Sequence, residues 1–216
     1  MIYRICAWMI QYNYLKNNPV LSIPVKRAKP KRRKVLSTAE LNIVFNNPEI
    51  LPAQRLYYRM MFYTLIRPLE LCKLRVKDIN LRELIVVVPG EISKNGKTQA
   101  VGLQEHLALE LANHMRNADQ EDFVFSRDEF KCGPLEMDRK KVSDGWAKLR
   151  KKYELNADAQ LYSLKDSGIT AMIQAKIDPL QVRDQARHHD ISITNTYMPV
   201  TGSNIGKDVR MFVVKL

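Results

Sequence analysis

The sequence is poor in cysteine and has no long apolar run. Its three cysteines, Cys6, Cys72 and Cys132, show no paired spacing among 216 residues. A sparse, odd set argues against a disulfide or zinc framework and favours a reducing compartment. Purely apolar runs such as residues 84–88 are far too short to cross a bilayer. The first residues also lack the charged segment and apolar core of a secretory signal. A cytoplasmic protein without a membrane partner is therefore expected, bacterial or nucleoid-associated.

Acidic residues are too few to balance the basic ones. The sequence has 35 Lys and Arg against 23 Asp and Glu, a net charge of +12. Folding does not need such an excess, which favours a polyanionic partner. Nucleic acid is the first candidate and an acidic membrane surface the second, and charge alone leaves ribosome-like binding open.

The densest positive charge lies in residues 26–34, where seven of nine residues are basic around Pro30. Like charges repel and proline has no amide donor, so this segment is predicted to be an extended linker. It is either a solvated hinge or localisation-like run, or a strap along a phosphate backbone, and the overall charge favours the strap. The DNA-binding candidates are Lys26, Arg27, Lys31, Arg32, Arg33 and Lys34, with Lys140 and Lys141 on a basic helix predicted over residues 138–153.

Two parts of the chain differ in character. Residues 1–16 have apolar positions at helical spacing and stop at Asn17-Asn18-Pro19. A lone amphipathic helix cannot bury its apolar face, so it belongs to a domain cut by the start of this chain or packs on the body. A second domain, from residue 36 to residue 216, opens with a capping box formed by Ser37 and Glu40.

The second domain is predicted to be mainly α with a small antiparallel β-sheet, an α+β fold. Its strands, 84–88 and 98–103, flank an Asn95-Gly96 turn. Residues 123–125 are a short strand or an extended segment. Helices are predicted over 37–45, 52–63, from Pro68, and over 104–115, 138–153, 164–175 and 180–187.

Two places carry candidate chemistry. Arg67 precedes Pro68 in an apolar stretch, where it either forms a salt bridge with Glu70 or is held by Glu70 for an anionic ligand. Tyr197 follows His188 by nine residues, which on one helix would put them on opposite faces. Asp190 and Ser192 are good N-cap residues, so the helix could break between His188 and Tyr197. Such a break would let the phenol and the imidazole share a site.

In order along the chain, Arg67, Lys94, Tyr162-x-x-Lys165, His188 and Tyr197 resemble the catalytic domain of the tyrosine recombinases, the phage-integrase family. The resemblance covers residues 37–200. Residues 1–35 resemble the last helix of that family's core-binding domain and its basic linker, which implies that most of the DNA-clamping domain lies outside this chain.

The resemblance implies attack by the Tyr197 oxygen on a DNA phosphodiester, giving a 3′-phosphotyrosyl link and a free 5′ hydroxyl. Arg67, Lys165 and His188 would stabilise charge on the phosphate, and Lys94 would protonate the departing oxygen. Glu70 and Tyr162 would support them. Rejoining reverses the steps, so no metal or cofactor is expected. The implied partners are double-stranded DNA and further copies in a tetrameric synapse on DNA, while the free protein could be a monomer.

Four positions depart from the family pattern. Tyr162-Ser-Leu-Lys165 stands where the family usually has His-x-x-Arg, Asp166 where it has histidine, and Arg187 where it has glycine. Lysine keeps the positive charge of arginine but lacks its planar two-point fork. The leading hypothesis is a DNA integrase or site-specific recombinase of a phage or mobile element. The alternatives are a catalytically weakened, DNA-binding relative and a type IB topoisomerase.

Overall fold

The computed structural model describes residues 2–22 and 34–197, and the chain divides into two units, residues 1–32 and 33–216. In the first unit, helix α1 covers Ile2–Gln11, and a 3₁₀ turn follows at Pro19–Ser22. The helix was predicted to reach residue 16 and ends earlier. Asn13 adopts a left-handed φ of 59°, and the Tyr14 amide donates to Met9 O at 2.8 Å. Asparagine tolerates this conformation and so ends the helix.

The second unit is mainly helical with one small sheet, as predicted. Its helices are α2 (Thr38–Asn46), α3 (Pro52–Thr64), α4 (Pro68–Leu71), α5 (Glu105–His114), α6 (Arg139–Lys152), α7 (Ser163–Gln174), α8 (Pro179–Ala186) and α9 (Ile191–Asn195). The strands β1 (Ile79–Asn80), β2 (Ile85–Val88) and β3 (Gln99–Gly102) form an antiparallel sheet in the order β1-β2-β3. None of the helices described is long and apolar enough to span a membrane.

Local sequence signals set several boundaries. Ser37 caps α2 in a capping box with Glu40, as predicted. Gly96 takes a φ of 69° in the loop between β2 and β3, which confirms the predicted turn. Strand β1 was not predicted, because two residues are too short to show an alternating pattern. Residues 123–125 do not form a strand: Phe123 makes isolated bridges with Arg75 and Gly133, and a bend follows at residues 124–125.

Helix α3 is the centre of the core. Its residues Tyr57, Tyr58 and Met60 are fully buried, and Tyr58 packs edge-on against Trp146 of α6 at 5.4 Å between ring centroids. Helix α7 packs closely on α3 because Gly168 has no side chain where the two helices meet. This packing brings the start of α7 beside the end of α3, where the candidate chemistry begins.

Gly168→Ala is expected to destabilise the protein by at least ~1–3 kcal/mol, the usual cost of overpacking. A Cβ at Gly168 would lie 2.0 Å from Phe62 O and 2.7 Å from Leu65 Cδ2. Gly145→Ala on α6 is the matched control, because its Cβ would meet nothing closer than Gln54 Nε2 at 3.7 Å. The control should be neutral or gain up to ~1 kcal/mol from helix propensity. Urea unfolding measures both, and equal stabilities for the two variants would contradict the packing argument.

Candidate active site

Arg67 lies in the turn between α3 and α4. Leu65 ends α3 with a left-handed φ of 56°, Arg67 is the N-cap of α4, and Pro68 is its first residue. Arg67 Nη1 donates to Glu70 Oε1 at 3.0 Å, and the arginine side chain stays 16% exposed. The ion pair considered from the sequence is therefore present, and it leaves part of the guanidinium open to an anionic ligand.

Glu70 is buried and joins three segments. Its carboxylate accepts from the Arg67 amide at 3.0 Å, from the Lys94 amide at 3.2 Å, and from Nη2 of Arg187. Burial acts to raise the pKa of Glu70, but the hydrogen bond and charge of Arg187, together with Arg67, hold it below its ordinary value. The carboxylate is thus ionised at neutral pH and fixes the turn before α4, the sheet hairpin and the end of α8.

Lys94 lies in the loop between β2 and β3. Its amide is anchored on Glu70, whereas its side chain is exposed. Ser93 Oγ donates to Asn95 Oδ1 at 2.5 Å, which tightens the loop around it. An exposed amine on an anchored backbone can reach a ligand bound at Arg67.

Lys165 lies in the protein interior, near the start of α7. Its side chain is fully buried, and Nζ donates to Leu65 O at 2.6 Å and to Ala186 O at 2.9 Å. Burial, and then the charges of Arg67 and Arg187, lower its pKa well below the usual value. The predicted phosphate contact of Lys165 stays a prediction, and it requires the amine to leave these two carbonyls.

A new helix begins between His188 and Tyr197, where Asp190 was predicted to cap it. Arg187 takes a left-handed φ of 55° after α8, and Asp190 caps α9 by accepting from the Ser192 amide at 2.8 Å. Helix α8 ends just before His188. The half-buried Tyr197 follows α9, and its hydroxyl donates to Asp166 Oδ1 at 2.7 Å. Asp166 is buried on α7 directly after Lys165.

His188 lies between the end of α8 and α9. Its Nδ1 is 3.0 Å from Thr194 Oγ1. Burial, followed by the charges of Lys165, Arg67 and His189, lowers the pKa of His188 to about 4. The imidazole is therefore neutral at pH 7, and one ring nitrogen is a donor while the other is an acceptor.

A cavity of about 670 Å³ opens beside Arg67, Glu70 and Lys94. Tyr162, the residue before α7, lines it as well. Helix α6 contributes two arginines to the same wall, Arg139 and Arg150. The cavity is thus framed by cations from three parts of the chain, which suits an anionic ligand.

Of the predicted DNA-binding residues, three lie in the part of the chain that the structure describes and five lie outside it. Lys140 and Lys141 are exposed on α6, and Lys141 Nζ donates to Arg127 O at 2.8 Å. Lys34 is exposed. Lys26, Arg27, Lys31, Arg32 and Arg33 lie outside the described residues.

Sequence reasoning did not include four residues of the site: Asp166, Arg187, Arg139 and Arg150. Asp166 and Arg187 did carry a signal, since each is a departure from the family pattern. Arg139 and Arg150 stand eleven positions apart, three helical turns, and so share the face of α6 that meets the cavity. That spacing is present in the sequence, but the other basic residues of the helix obscure it.

A sequence profile of the phage integrase family matches residues 34–203. The chain belongs to this family. The tyrosine recombinase XerA of Pyrococcus furiosus is 26% identical over 161 residues, which cover 72% of this chain and 53% of that protein. XerA of Pyrococcus horikoshii is 22% identical over 202 residues, covering 91% and 64%. The chain thus spans between half and two thirds of the length of these relatives.

Solved integrase structures share the fold. The Tn1549 transposon integrase, in complex with circular intermediate DNA, superposes with a TM-score of 0.74 at 14% identity, covering 96% of this chain and 74% of that one. A lambda integrase dimer bound to a COC′ core site gives 0.69 at 17% identity, covering 91% and 56%. At these identities the likeness establishes the integrase fold, and the chemistry of this family member must be argued from its own residues.

Proposed function

We propose that this phage-integrase family member breaks and rejoins double-stranded DNA through a 3′-phosphotyrosyl intermediate, as the recombinase of a phage or mobile element. The observation that supports it most is the 2.7 Å hydrogen bond from the Tyr197 phenol to the buried carboxylate of Asp166. A free phenol has a pKa near ~10 and is a poor nucleophile unless a proton acceptor lies beside it. Here that acceptor is within reach.

In the proposed cleavage step, the Tyr197 oxygen bonds to phosphorus and the bond to the 5′ oxygen breaks. The phenol proton passes to Asp166, and Lys94 gives a proton to the departing 5′ oxygen. Arg67 and the neutral imidazole of His188 stabilise charge on the non-bridging oxygens. In rejoining, the 5′ hydroxyl attacks and each proton returns. The phosphodiester energy is kept in the protein–DNA link.

The DNA backbone is proposed to lie along the cavity framed by Arg67, Lys94, Arg139 and Arg150. The solved relatives above were captured on DNA, one of them as a dimer. For this chain we propose binding to double-stranded DNA and self-association on it in a tetrameric synapse. The basic segment 26–34 would follow the backbone as a strap.

Arg139→Gln is expected to weaken DNA binding about uniformly across sequences and to flatten its salt dependence. Each protein–phosphate contact that is lost reduces the steepness of log K plotted against log salt concentration by ~0.9. Lys152→Gln is the matched control, because Lys152 is exposed at the end of α6 but paired with Glu49 at 3.0 Å. Fluorescence anisotropy at four salt concentrations measures both slopes. Equal slopes for Arg139→Gln and the parent would show that Arg139 makes no contact with the DNA phosphates.

Two alternatives use the same site. A weakened, DNA-binding relative is favoured by the buried amine of Lys165, which faces carbonyls rather than the cavity. A type IB topoisomerase would use the same nucleophile, but the basic linker after an N-terminal helix favours a recombinase.

A nicked suicide substrate tests the proposal, because release of the short 5′ fragment traps the cleaved state. A covalent protein–DNA product supports the enzyme, and binding without product supports the weakened relative. Relaxation of supercoiled plasmid without strand exchange between two sites would support the topoisomerase.

A further inference from the structure

Arg187 combines two unfavourable features. It adopts a left-handed φ of 55°, a conformation that L side chains disfavour and glycine accepts. Its guanidinium is also fully buried, and a buried charge is costly unless it is paired. Such a residue persists where surrounding structure holds it, and strain of this kind is concentrated at functional sites.

Glu70 is what holds the Arg187 guanidinium. Nη2 of Arg187 donates to Glu70 Oε2, while Arg67 Nη1 donates to Oε1 at 3.0 Å. Nε and Nη1 of Arg187 are buried and have no acceptor among the residues described. Glu70 therefore binds one arginine on each oxygen. Because Arg187 neutralises the Glu70 carboxylate, the positive charge of Arg67 remains available to a ligand.

Lys165 does not supply that neutralising charge. Its Nζ is bound to Leu65 O and Ala186 O instead of to a carboxylate. Burial lowers its pKa well below the usual value, whereas a guanidinium keeps its proton at any pH a protein survives. Ala186 O belongs to the peptide that precedes Arg187, so Lys165 fixes the backbone from which Arg187 projects.

We propose that Arg187 is a positioning residue that supplies the second permanent positive charge of the site and, through Glu70, sets Arg67 and the Lys94 backbone for the phosphate. This inference rests on the proposed function for its effect on cleavage. The buried Lys165 supports Arg187 by holding the backbone carbonyl that precedes it. Arg187 also links the segment that carries His188 and Tyr197 to the segment that carries Arg67.

The test removes the guanidinium at position 187 and introduces one at position 165. Arg187→Gly removes it and suits the backbone, so the variant should fold, which its Tm checks. Lys165 Nζ lies 2.9 Å from Ala186 O, on the peptide that precedes Arg187, so an arginine at 165 starts beside the space that Arg187 vacates. The four proteins compared are the parent, Arg187→Gly, Lys165→Arg and the double variant.

Arg187→Gly is expected to slow single-turnover cleavage of the nicked substrate about 10²-fold, the scale of a small misplacement of reacting groups. Lys165→Arg alone should also be slow, because its larger head enters a filled interior beside Arg187. The double variant should recover at least about ten-fold over Arg187→Gly. A double variant that folds but stays as slow as Arg187→Gly would overturn the proposal, as would an Arg187→Gly protein that cleaves at the parent rate.

A second readout does not need activity. The groups that act on Glu70 are Arg67, Arg187 and Lys165, together with the Lys94 amide. Carboxyl NMR of the free protein should show Glu70 titrating at higher pH in Arg187→Gly and returning towards the parent in the double variant. An unchanged Glu70 titration in Arg187→Gly overturns the proposal. If the parent forms no covalent product, the recombinase proposal fails, and this titration still decides the role of Arg187.

Discussion

Tyr197→Phe is expected to abolish the covalent protein–DNA product while leaving DNA affinity within about two-fold of the parent. The change removes only the hydroxyl, and a phenyl ring offers no nucleophilic oxygen. The ring keeps its packing against the apolar cluster of Leu65, Ile169 and Val182. Loss of the hydrogen bond that Tyr197 donates to the buried Asp166 carboxylate should cost ~1–3 kcal/mol of stability.

Tyr162→Phe is the matched control for Tyr197→Phe, since Tyr162 lines the cavity beside Arg67. That variant should still form the adduct. Denaturing gels of both proteins with the nicked substrate give the measurement. An adduct from Tyr197→Phe would assign the nucleophile to another residue, which peptide mapping would identify.

The sequence predicted those parts of the site that depend on local signals. The break between His188 and Tyr197 is encoded by Asp190, whose side chain caps the next helix. The position of Arg67 is encoded by Pro68, and that of Lys94 by the Asn95-Gly96 turn. Each of these needs only a few neighbouring residues, and so it can be read from the chain.

The contacts that join distant segments could not be predicted in this way. Arg187 meets Glu70 across 117 positions, and Tyr197 meets Asp166 across 31. Such contacts depend on how α7 and α8 pack against α3, which no periodicity specifies. The buried state of Lys165 is the clearest case. The family resemblance implied a phosphate contact for its amine, whereas the packing of α7 places that amine on two backbone carbonyls.

Those long-range contacts also change what a departure from the family pattern means. Taken one at a time, Lys165, Asp166 and Arg187 suggest a decayed site. In the structure they form connected pairs: Lys165 holds the peptide before Arg187, Arg187 holds Glu70, and Asp166 holds Tyr197. These contacts are compatible with the proposed cleavage chemistry, and Asp166, the hydrogen-bond partner of the proposed nucleophile Tyr197, offers its most direct test.

Asp166→Asn is expected to slow formation of the covalent product ~10²–10⁴-fold, the range that general acid–base catalysis contributes. Asparagine has nearly the shape of aspartate, and its carbonyl can still accept from Tyr197. It cannot take up the phenol proton at neutral pH. Folding and DNA affinity should therefore change little, which separates this variant from one that merely disturbs the packing of α7.

A substrate with sulfur in place of the bridging 5′ oxygen separates the two proton transfers. Sulfur leaves without protonation, so this substrate should restore the rate of Lys94→Ala, in which the proposed acid is missing. It should not restore Asp166→Asn, in which the proposed base is missing. Single-turnover rates of the parent and the two variants on oxygen and sulfur substrates provide the comparison. If Asp166→Asn cleaves as fast as the parent, Asp166 is not the proton acceptor. If it cleaves faster, the bond to Asp166 restrains the nucleophile, and another group must receive its proton.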